Sequence, residues 1–332
     1  MLCAMAIYTP NSPGNAVPDP DTIKRAAERI APWVHRTPVI TCRSIDRLLD
    51  AEVFFKCENL QKVGAFKARG ASNAVFSLSD EQAGRGVATH SSGNHAQALA
   101  YAAANRGVRA HIVMPSTSPE VKIDAVLGYG ADITFCEPNQ KAREDALEKI
   151  VRKTGAVFIH PYDNYGIIAG QATAAMELID EVPGLDIIMT PVGGGGLLSG
   201  TLLSAHYFSP DTKVIAGEPG GADDAFRSLK EGKILESVNP DTIADGLLTS
   251  LGEKTFPIIR DYVDSILLAS DEFIIKSMRL IWERAKLVVE PSGAVPLAAL
   301  LQNDIDIAGK RIGIILSGGN ADIDRLPWKA SS

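Results

Sequence analysis

Along almost the whole chain, short runs rich in β-branched and aromatic residues alternate with longer segments of helical periodicity, and Gly, Asn and Pro punctuate the changes. The strand-like runs fall at residues 53–57, 87–89, 109–114, 132–136, 157–160, 186–190, 214–217 and 311–316. Between them, 94–105 is Ala-rich, 140–154 keeps Ala142, Ala146, Ile150 and Val151 on one face, and 273–288 repeats apolar residues at helical spacing. This alternation predicts βαβ units and a mostly parallel sheet. Sheets of that kind bind ligands beyond the carboxyl ends of their strands, so the loops that follow strands are where chemistry is expected.

The length, 332 residues, suggests about two domains at roughly 150 residues each. The net charge of −7 argues against a protein that coats nucleic acid through phosphate contacts. No apolar run approaches the ~20 residues needed to span a bilayer, and the start lacks a basic n-region and reads as a loose terminus rather than a signal peptide. Residues 9–20, rich in Pro, Asn and Asp, read as an arm. The four cysteines (Cys3, Cys42, Cys57 and Cys136) show no C-x-x-C or metal spacing, which predicts free thiols and a cytoplasmic address.

Four constellations follow strands or open helices. In Gly64-Ala65-Phe66-Lys67-Ala68-Arg69-Gly70, Lys67 could be a Schiff-base lysine whose pKa is lowered in an apolar site. On these residues alone, an amphipathic helix with Lys67 and Arg69 in solvent accounts for the pattern better. His90-Ser91-Ser92-Gly93-Asn94-His95 opens a helix and reads equally as a carboxylate cradle or a plain N-cap. Gly193, Gly194, Gly195 and Gly196 are costly in backbone entropy, and with a helix directly after them they favour a phosphate cradle. They match neither G-x-x-x-x-G-K-[ST] nor G-x-G-x-x-G. Ser317-Gly318-Gly319-Asn320 offers a hydroxyl for a ring nitrogen, or is a turn closing the sheet. An amine, a carboxylate cradle, a phosphate cradle and a partner for a heteroaromatic nitrogen together describe a site for pyridoxal phosphate.

With these residues in view, the segment Lys56-Cys57-Glu58-Asn59-Leu60-Gln61-Lys62-Val63-Gly64-Ala65-Phe66-Lys67 resembles the cofactor-lysine segment of fold-type II pyridoxal-phosphate enzymes. More narrowly it resembles the serine racemase, threonine dehydratase and 3-hydroxyaspartate dehydratase group, and the likeness runs from about residue 37 to about residue 322. The resemblance implies a tryptophan synthase β-like α/β fold: two open α/β domains with mostly parallel sheets. The large cofactor domain would take residues 1–76 and 162–332, and the small substrate-loop domain residues 77–161. It implies that Lys67 holds the cofactor and then acts as base on one face of the substrate Cα. Gly193 to Gly196 would cradle the phosphate, Ser317 bond the pyridine nitrogen, Asn94 the phenolic oxygen, and Phe66 pack beside the ring. Ser91, Ser92, Gly93, Asn94 and His95 would bind the substrate carboxylate. Ser92 stands where many threonine dehydratases have Ala, and in the racemase branch a serine there works on the face opposite the lysine.

Glu218-Pro219-Gly220-Gly221-Ala222-Asp223-Asp224 resembles the family's metal segment, in which Glu218, Asp224 and the Ala222 carbonyl would hold Mg²⁺, Ca²⁺ or Mn²⁺; without the likeness it is an acidic loop capping a helix through Asp223 and Asp224. Arg143 resembles a racemase-branch arginine facing the site, where it would receive a second substrate carboxylate; a solvated helix face explains it as well. Asp245-Gly246 and Ser250 resemble residues near the substrate. Ala65 departs from the common Ser, and Tyr162 after His160-Pro161 is closer to the dehydratases. His160 reads as structural, and the roles of His90 and His95 stay open. The end after Trp328 leaves no regulatory domain expected. The function implied is a dehydratase of L-serine, L-threonine or 3-hydroxyaspartate giving 2-keto acid and ammonia, with serine racemase activity. The alternatives are a dedicated 3-hydroxyaspartate dehydratase and a β-replacement synthase of the cysteine synthase type. Family members are commonly dimers, so a homodimer is expected, and ATP is a candidate effector, as for some racemases.

Overall fold

The computed structural model describes residues 16–328. Its strands, in chain order, are β1 (Val39–Thr41), β2 (Glu52–Lys56), β3 (Val87–His90), β4 (Ala110–Pro115), β5 (Asp132–Cys136), β6 (Val157–Phe158), β7 (Ile187–Pro191), β8 (Lys213–Pro219), β9 (Ser265–Ala269) and β10 (Arg311–Ile315). They form a six-stranded sheet in the order β1-β2-β10-β7-β8-β9 and a four-stranded sheet in the order β5-β4-β3-β6. Every pairing is parallel except β1 with β2. β7 lies inside the larger sheet, and its run Ile-Ile-Met-Thr-Pro is buried throughout, as a strand covered on both faces must be.

The cores follow from the helices laid on these sheets. Phe55, Met189, Ile274, Leu297 and Leu316 fill one layer of the six-stranded sheet, while Ile168, Leu178, Ile188, Leu198 and Ile259 fill another. The helix Asn94–Arg106 packs its small side chains Ala96, Ala98, Ala100, Ala102 and Ala103 into a third cluster with Val87, Ile112 and Met114. The helices Lys67–Phe76 and Tyr165–Glu181 touch backbone to backbone, because a Cβ on Gly170 would sit 2.6 Å from the Gly70 Cα. That approach sets the position of the helix that begins at Lys67.

Several expectations change. The strand expected over 157–160 stops at Phe158, because the chain then turns and the Ile159 carbonyl accepts from Thr89 Oγ1 at 2.9 Å. The helix expected over 273–288 runs as Asp271–Leu280 and closes in a π turn, Ile281–Ala285, after which Lys286 takes φ 60°. The arm reading of 9–20 lies outside the described residues up to position 15, and Pro20 already begins a helix, with the Asp19 carboxylate accepting from Thr22 N–H at 2.7 Å. β1, with three residues, and β9, the five-residue run Ser265–Ala269, are not among the expected strands. Cys3 lies outside the described residues, and Cys42, Cys57 and Cys136 are free.

Candidate active site

The ends of β3, β7 and β10 place three of the four constellations, and hydrogen bonds and close packing join them to the Lys67 segment. Phe66 N–H donates to the Ser317 carbonyl at 3.0 Å, and Ala65 bridges Gly318. The lysine segment therefore lies directly beside the buried Ser317 at the end of β10. Lys67 is the first residue of its helix, its Nζ donates to the Pro161 carbonyl at 2.9 Å, and it stands 5.1 Å from the Phe66 ring centre. Burial pushes its amine down to about 8, with the Glu290 charge working the other way. A nucleophilic or basic lysine needs that direction of shift.

The residue after Pro161 links the lysine to the glycine loop. A Cβ on Gly194 would overlap the Tyr162 ring, and one on Gly196 would come 3.0 Å from the Tyr162 Cβ. Gly193 is pressed against the Leu247 Cα at 2.9 Å, and Gly195 has φ +87°. Gly193, Gly194 and Gly195 are thus closed to side chains by close approach or backbone conformation, and Gly196 is tight against Tyr162. Thr255 Oγ1 donates to the Gly194 carbonyl at 2.9 Å, and the helix Gly196–Phe208 starts at once. Among the described residues no acceptor takes the backbone N–H groups of Gly193, Gly194 or Gly195. Free N–H groups at a helix start, in a loop with room for no side chain, fit the phosphate of pyridoxal phosphate.

Ser91, Ser92 and Gly93 form the turn between β3 and the helix Asn94–Arg106. Gly93 N–H donates to Ser91 Oγ at 3.3 Å, and among the described residues no hydrogen-bond partner engages the Ser92 hydroxyl. His95 is buried; its Nε2 bonds the Ile159 carbonyl at 3.3 Å, which leaves Nδ1 bare and without a partner. Burial first, then Lys67, His160 and His90, hold its pKa well below 6.5. His160 Nδ1 accepts from the N–H groups of Tyr162 and Asp163 at 3.3 and 2.9 Å, and burial pushes its pKa down to about 3. It therefore fastens the turn that carries Pro161 and Tyr162.

Arg69 does not face solvent. It is fully buried, bonding Glu58 at 2.7 Å and Glu177 at 2.7 Å. Arg143 is turned inward as well: it is partly buried, and its Nε is buried without a partner, close enough to His90 and Cys136 for its charge to act on both. Ser250 Oγ accepts from Ser237 N–H at 2.8 Å, so its hydroxyl is tied to the neighbouring loop.

In the acidic segment, Glu218 rather than Asp223 or Asp224 caps the helix Asp224–Glu231, accepting from the N–H groups of Ala225 and Phe226 at 2.7 and 2.8 Å. Asp223 pairs with Arg227 at 2.7 Å. Asp224 is buried; among the described residues its Oδ2 makes no hydrogen bond of good geometry, and against the rise that burial causes the nearby Ser237 hydroxyl works to lower its pKa. Burial pushes the Glu218 carboxyl up to about 8 and that of Asp224 up to about 6. No three His, Cys, Asp or Glu side chains converge as ligands among the described residues. The donors available are two buried carboxylates and backbone carbonyls, an all-oxygen set that suits a hard cation.

Two residues beside the site carried no clear signal. Glu290 is an isolated carboxylate in an apolar run, and Asn320 ends a glycine turn. Both bond to Asn94: Nδ2 of Asn94 donates to Glu290 Oε1 at 2.9 Å, and Asn320 Nδ2 donates to Asn94 Oδ1 at 2.9 Å.

A half-buried lysine amine of lowered pKa, a glycine loop with free N–H groups and a hydroxyl at a strand end together fit a pyridoxal-phosphate enzyme. The family model described as "Pyridoxal-phosphate dependent enzyme" matches residues 30–318, and the chain belongs to that family. It is 50% identical over 312 residues to the β-hydroxyaspartate dehydratase of Paracoccus denitrificans, covering 94% of this chain and 99% of that one. The crystal structure of serine racemase from Dictyostelium discoideum superposes with a TM-score of 0.89 at 49% identity, over 93% of this chain and 100% of that one. The structure of maize serine racemase superposes with a TM-score of 0.91 at 46% identity, over 93% of this chain and 95% of that one. The fold is that of fold-type II pyridoxal-phosphate enzymes. No helix of the described residues is long and apolar enough to cross a membrane.

Proposed function

We propose that the chain is an ammonia-lyase of β-hydroxy amino acids that converts L-serine, L-threonine or 3-hydroxyaspartate to a 2-keto acid and ammonia, with serine racemase activity. The observation that carries this reading is Lys67. Its amine is lowered toward neutrality and bonded to Pro161, and the next residue, Tyr162, packs on the phosphate cradle. Relatives at 50% and 49% identity named as a dehydratase and a racemase support the same substrate class.

When bound, pyridoxal phosphate supplies an electron sink that makes the substrate Cα proton removable. Gly193 to Gly196 would hold its phosphate, Ser317 its ring nitrogen and Asn94 its phenolic oxygen, with Phe66 alongside. Ser317 is a neutral hydroxyl and does not press a proton onto that nitrogen, which disfavours transamination. The turn Ser91 to His95 presents N–H groups at a helix start to the substrate carboxylate. Lys67 takes the Cα proton on one face, and an amine near 8 can both accept and return a proton near neutral pH. Loss of that proton opens both reactions. Departure of the β-hydroxyl as water completes elimination, and the released enamine is hydrolysed to the 2-keto acid and ammonia, whereas a proton delivered by Ser92 to the opposite face completes racemisation. A difference of about 1.4 kcal/mol between the two barriers shifts the partition tenfold. The four-stranded sheet lies wholly within the stretch 77–161, which we take as the smaller domain closing over the substrate.

Ser92→Ala is expected to lower D-serine formation from L-serine by roughly 10²-fold or more while keto acid still forms. Chiral chromatography of the products decides, and racemisation at the parental rate would remove Ser92 from the mechanism. A dedicated 3-hydroxyaspartate dehydratase is the second reading, favoured by the inward Arg143, whose guanidinium suits a second carboxylate. Assaying L-serine, D-serine, L-threonine and the 3-hydroxyaspartate stereoisomers separately tells the two apart. Strong preference for 3-hydroxyaspartate supports the Arg143 role, and preference for serine or threonine removes it. Silence on all of them, with sulfide-dependent turnover, would point to β-replacement instead.

We further take Glu218, Asp224 and the Ala222 carbonyl to hold Mg²⁺ (or Ca²⁺ or Mn²⁺), on the strength of two buried carboxylates, Glu218 and Asp224, in one acidic turn. EDTA is expected to lower the melting temperature and Mg²⁺ to restore it; a melting curve indifferent to both would count against the ion. A homodimer, ATP as effector and a cytoplasmic address belong to the same reading. Sedimentation, an ATP titration of the keto-acid rate and fractionation test them in turn.

A further inference from the structure

The Asn94 amide is held at both ends, and the polarity of the chain that holds it is fixed by chemistry. Asn320 Nδ2 donates to the Val63 carbonyl at 2.8 Å as well as to Asn94 Oδ1 at 2.9 Å. A backbone carbonyl only accepts. The Asn320 atom between Val63 and Asn94 is therefore the nitrogen, the Asn94 atom facing it is the oxygen, and the Asn94 nitrogen is left for Glu290 Oε1 at 2.9 Å. Asn320 N–H closes the ring onto Glu290 Oε2 at 3.2 Å.

The backbone is distorted around this ring. Val63 sits at φ 55°, ψ 17°, a left-handed conformation that a β-branched residue adopts only under constraint. The next residue, Gly64, has φ +67°, and a Cβ there would strike the Asn320 amide. A Cβ on Gly318 would come 2.5 Å from Glu290 Oε1. The lysine segment and the Ser317 turn are thus both shaped to admit Asn320 and Glu290. Glu290 is only 5% exposed, and burial pushes its carboxyl up to about 7 against the bonds from Asn94 and Asn320.

We propose that Glu290 and Asn320 are positioning residues that fix the polarity of the Asn94 amide, so that Asn94 meets the cofactor's phenolic oxygen as a donor. The amide nitrogen has two hydrogens; Glu290 takes one and one remains. Without the ring the amide could turn and set its own oxygen against the phenolic oxygen. This inference rests on the reading that Asn94 faces the cofactor.

The test is the visible absorbance of the cofactor-loaded protein, together with cofactor loss on dialysis, in Asn94→Ala, Asn320→Asp and Glu290→Met. Asn320→Asp keeps the shape but puts an acceptor against both the Val63 carbonyl and Asn94 Oδ1. All three are expected to move the band the same way and to lose cofactor about fivefold faster, the worth of one neutral hydrogen bond. If Asn94→Ala moves the band while Asn320→Asp and Glu290→Met match the parent, the ring does not set Asn94 and the proposal falls. If Asn94→Ala itself leaves the band unchanged, the underlying reading of Asn94 fails, and the proposal with it. Should Glu290→Met not fold, Asn320→Asp, at an exposed position, decides alone.

Discussion

Lys67→Ala is expected to abolish the visible absorbance of the loaded protein and to lower keto-acid formation by at least ~10³-fold, because on the proposed reading one residue is both the attachment point and the base. Two features of the site give the expectation its physical basis. The amine is bonded to the Pro161 carbonyl, and burial has brought it to about 8. Only the neutral amine attacks a carbonyl. Cofactor capture by the stripped protein should therefore accelerate as pH rises through about 8 and level off above it. Absorbance followed after mixing at a series of pH values reads this directly. A Lys67→Ala protein that keeps its colour and turnover would sink the assignment.

The largest stability effect is expected from Arg69→Met. Arg69 is fully buried two residues after Lys67, bonded to Glu58 and Glu177, and it also reaches Thr173 Oγ1 at 3.1 Å and the His35 carbonyl at 3.2 Å. Lys56 completes the set with a 2.7 Å bond to Glu177. Removing the guanidinium leaves Glu58 buried with the Thr37 hydroxyl at 2.6 Å for company. An uncompensated buried charge costs about 3–5 kcal/mol, which a urea midpoint would show. The double variant Arg69→Met with Glu58→Met should recover part of that loss, because it removes the charge left behind. A double variant as unstable as the sum of the two singles would contradict the desolvation account. The pH dependence has a definite sign. Burial alone would raise the Glu177 carboxyl, but bonds from Arg69 and Lys56 hold it below its ordinary value. Its contribution is therefore present at neutral pH and lost as the solution is acidified past the ordinary carboxylate range.

The parts of this protein legible in its sequence are those whose physics is local. Gly193 to Gly196, Gly64 and Gly318 are glycines because the chain bends or approaches another group at those positions, and each lies in a constellation that stood out by composition alone. The helix Gln140–Thr154 begins and ends where its apolar periodicity, the Asn139 cap and Gly155 say it should. Lys67 between Phe66 and Ala68 stood out once the phosphate and carboxylate loops were set beside it. Arg69 was misread by the same local logic, because an arginine on a helix is solvated unless partners arrive from elsewhere. Those partners come from Glu58 on the turn after β2 and from Glu177, 108 positions away. Glu290 and Asn320 likewise lie 196 and 226 positions from Asn94, and no periodicity connects them. Tyr162 and the glycine loop meet only after β7 enters the sheet. Glycines, caps and strand patterns answer to the energy of a few neighbouring dihedrals, so local sequence alone marks where the backbone can cradle a ligand. Whether a charge is buried, which pKa moves and which way an amide points answer to groups that only the folded chain brings within hydrogen-bonding distance.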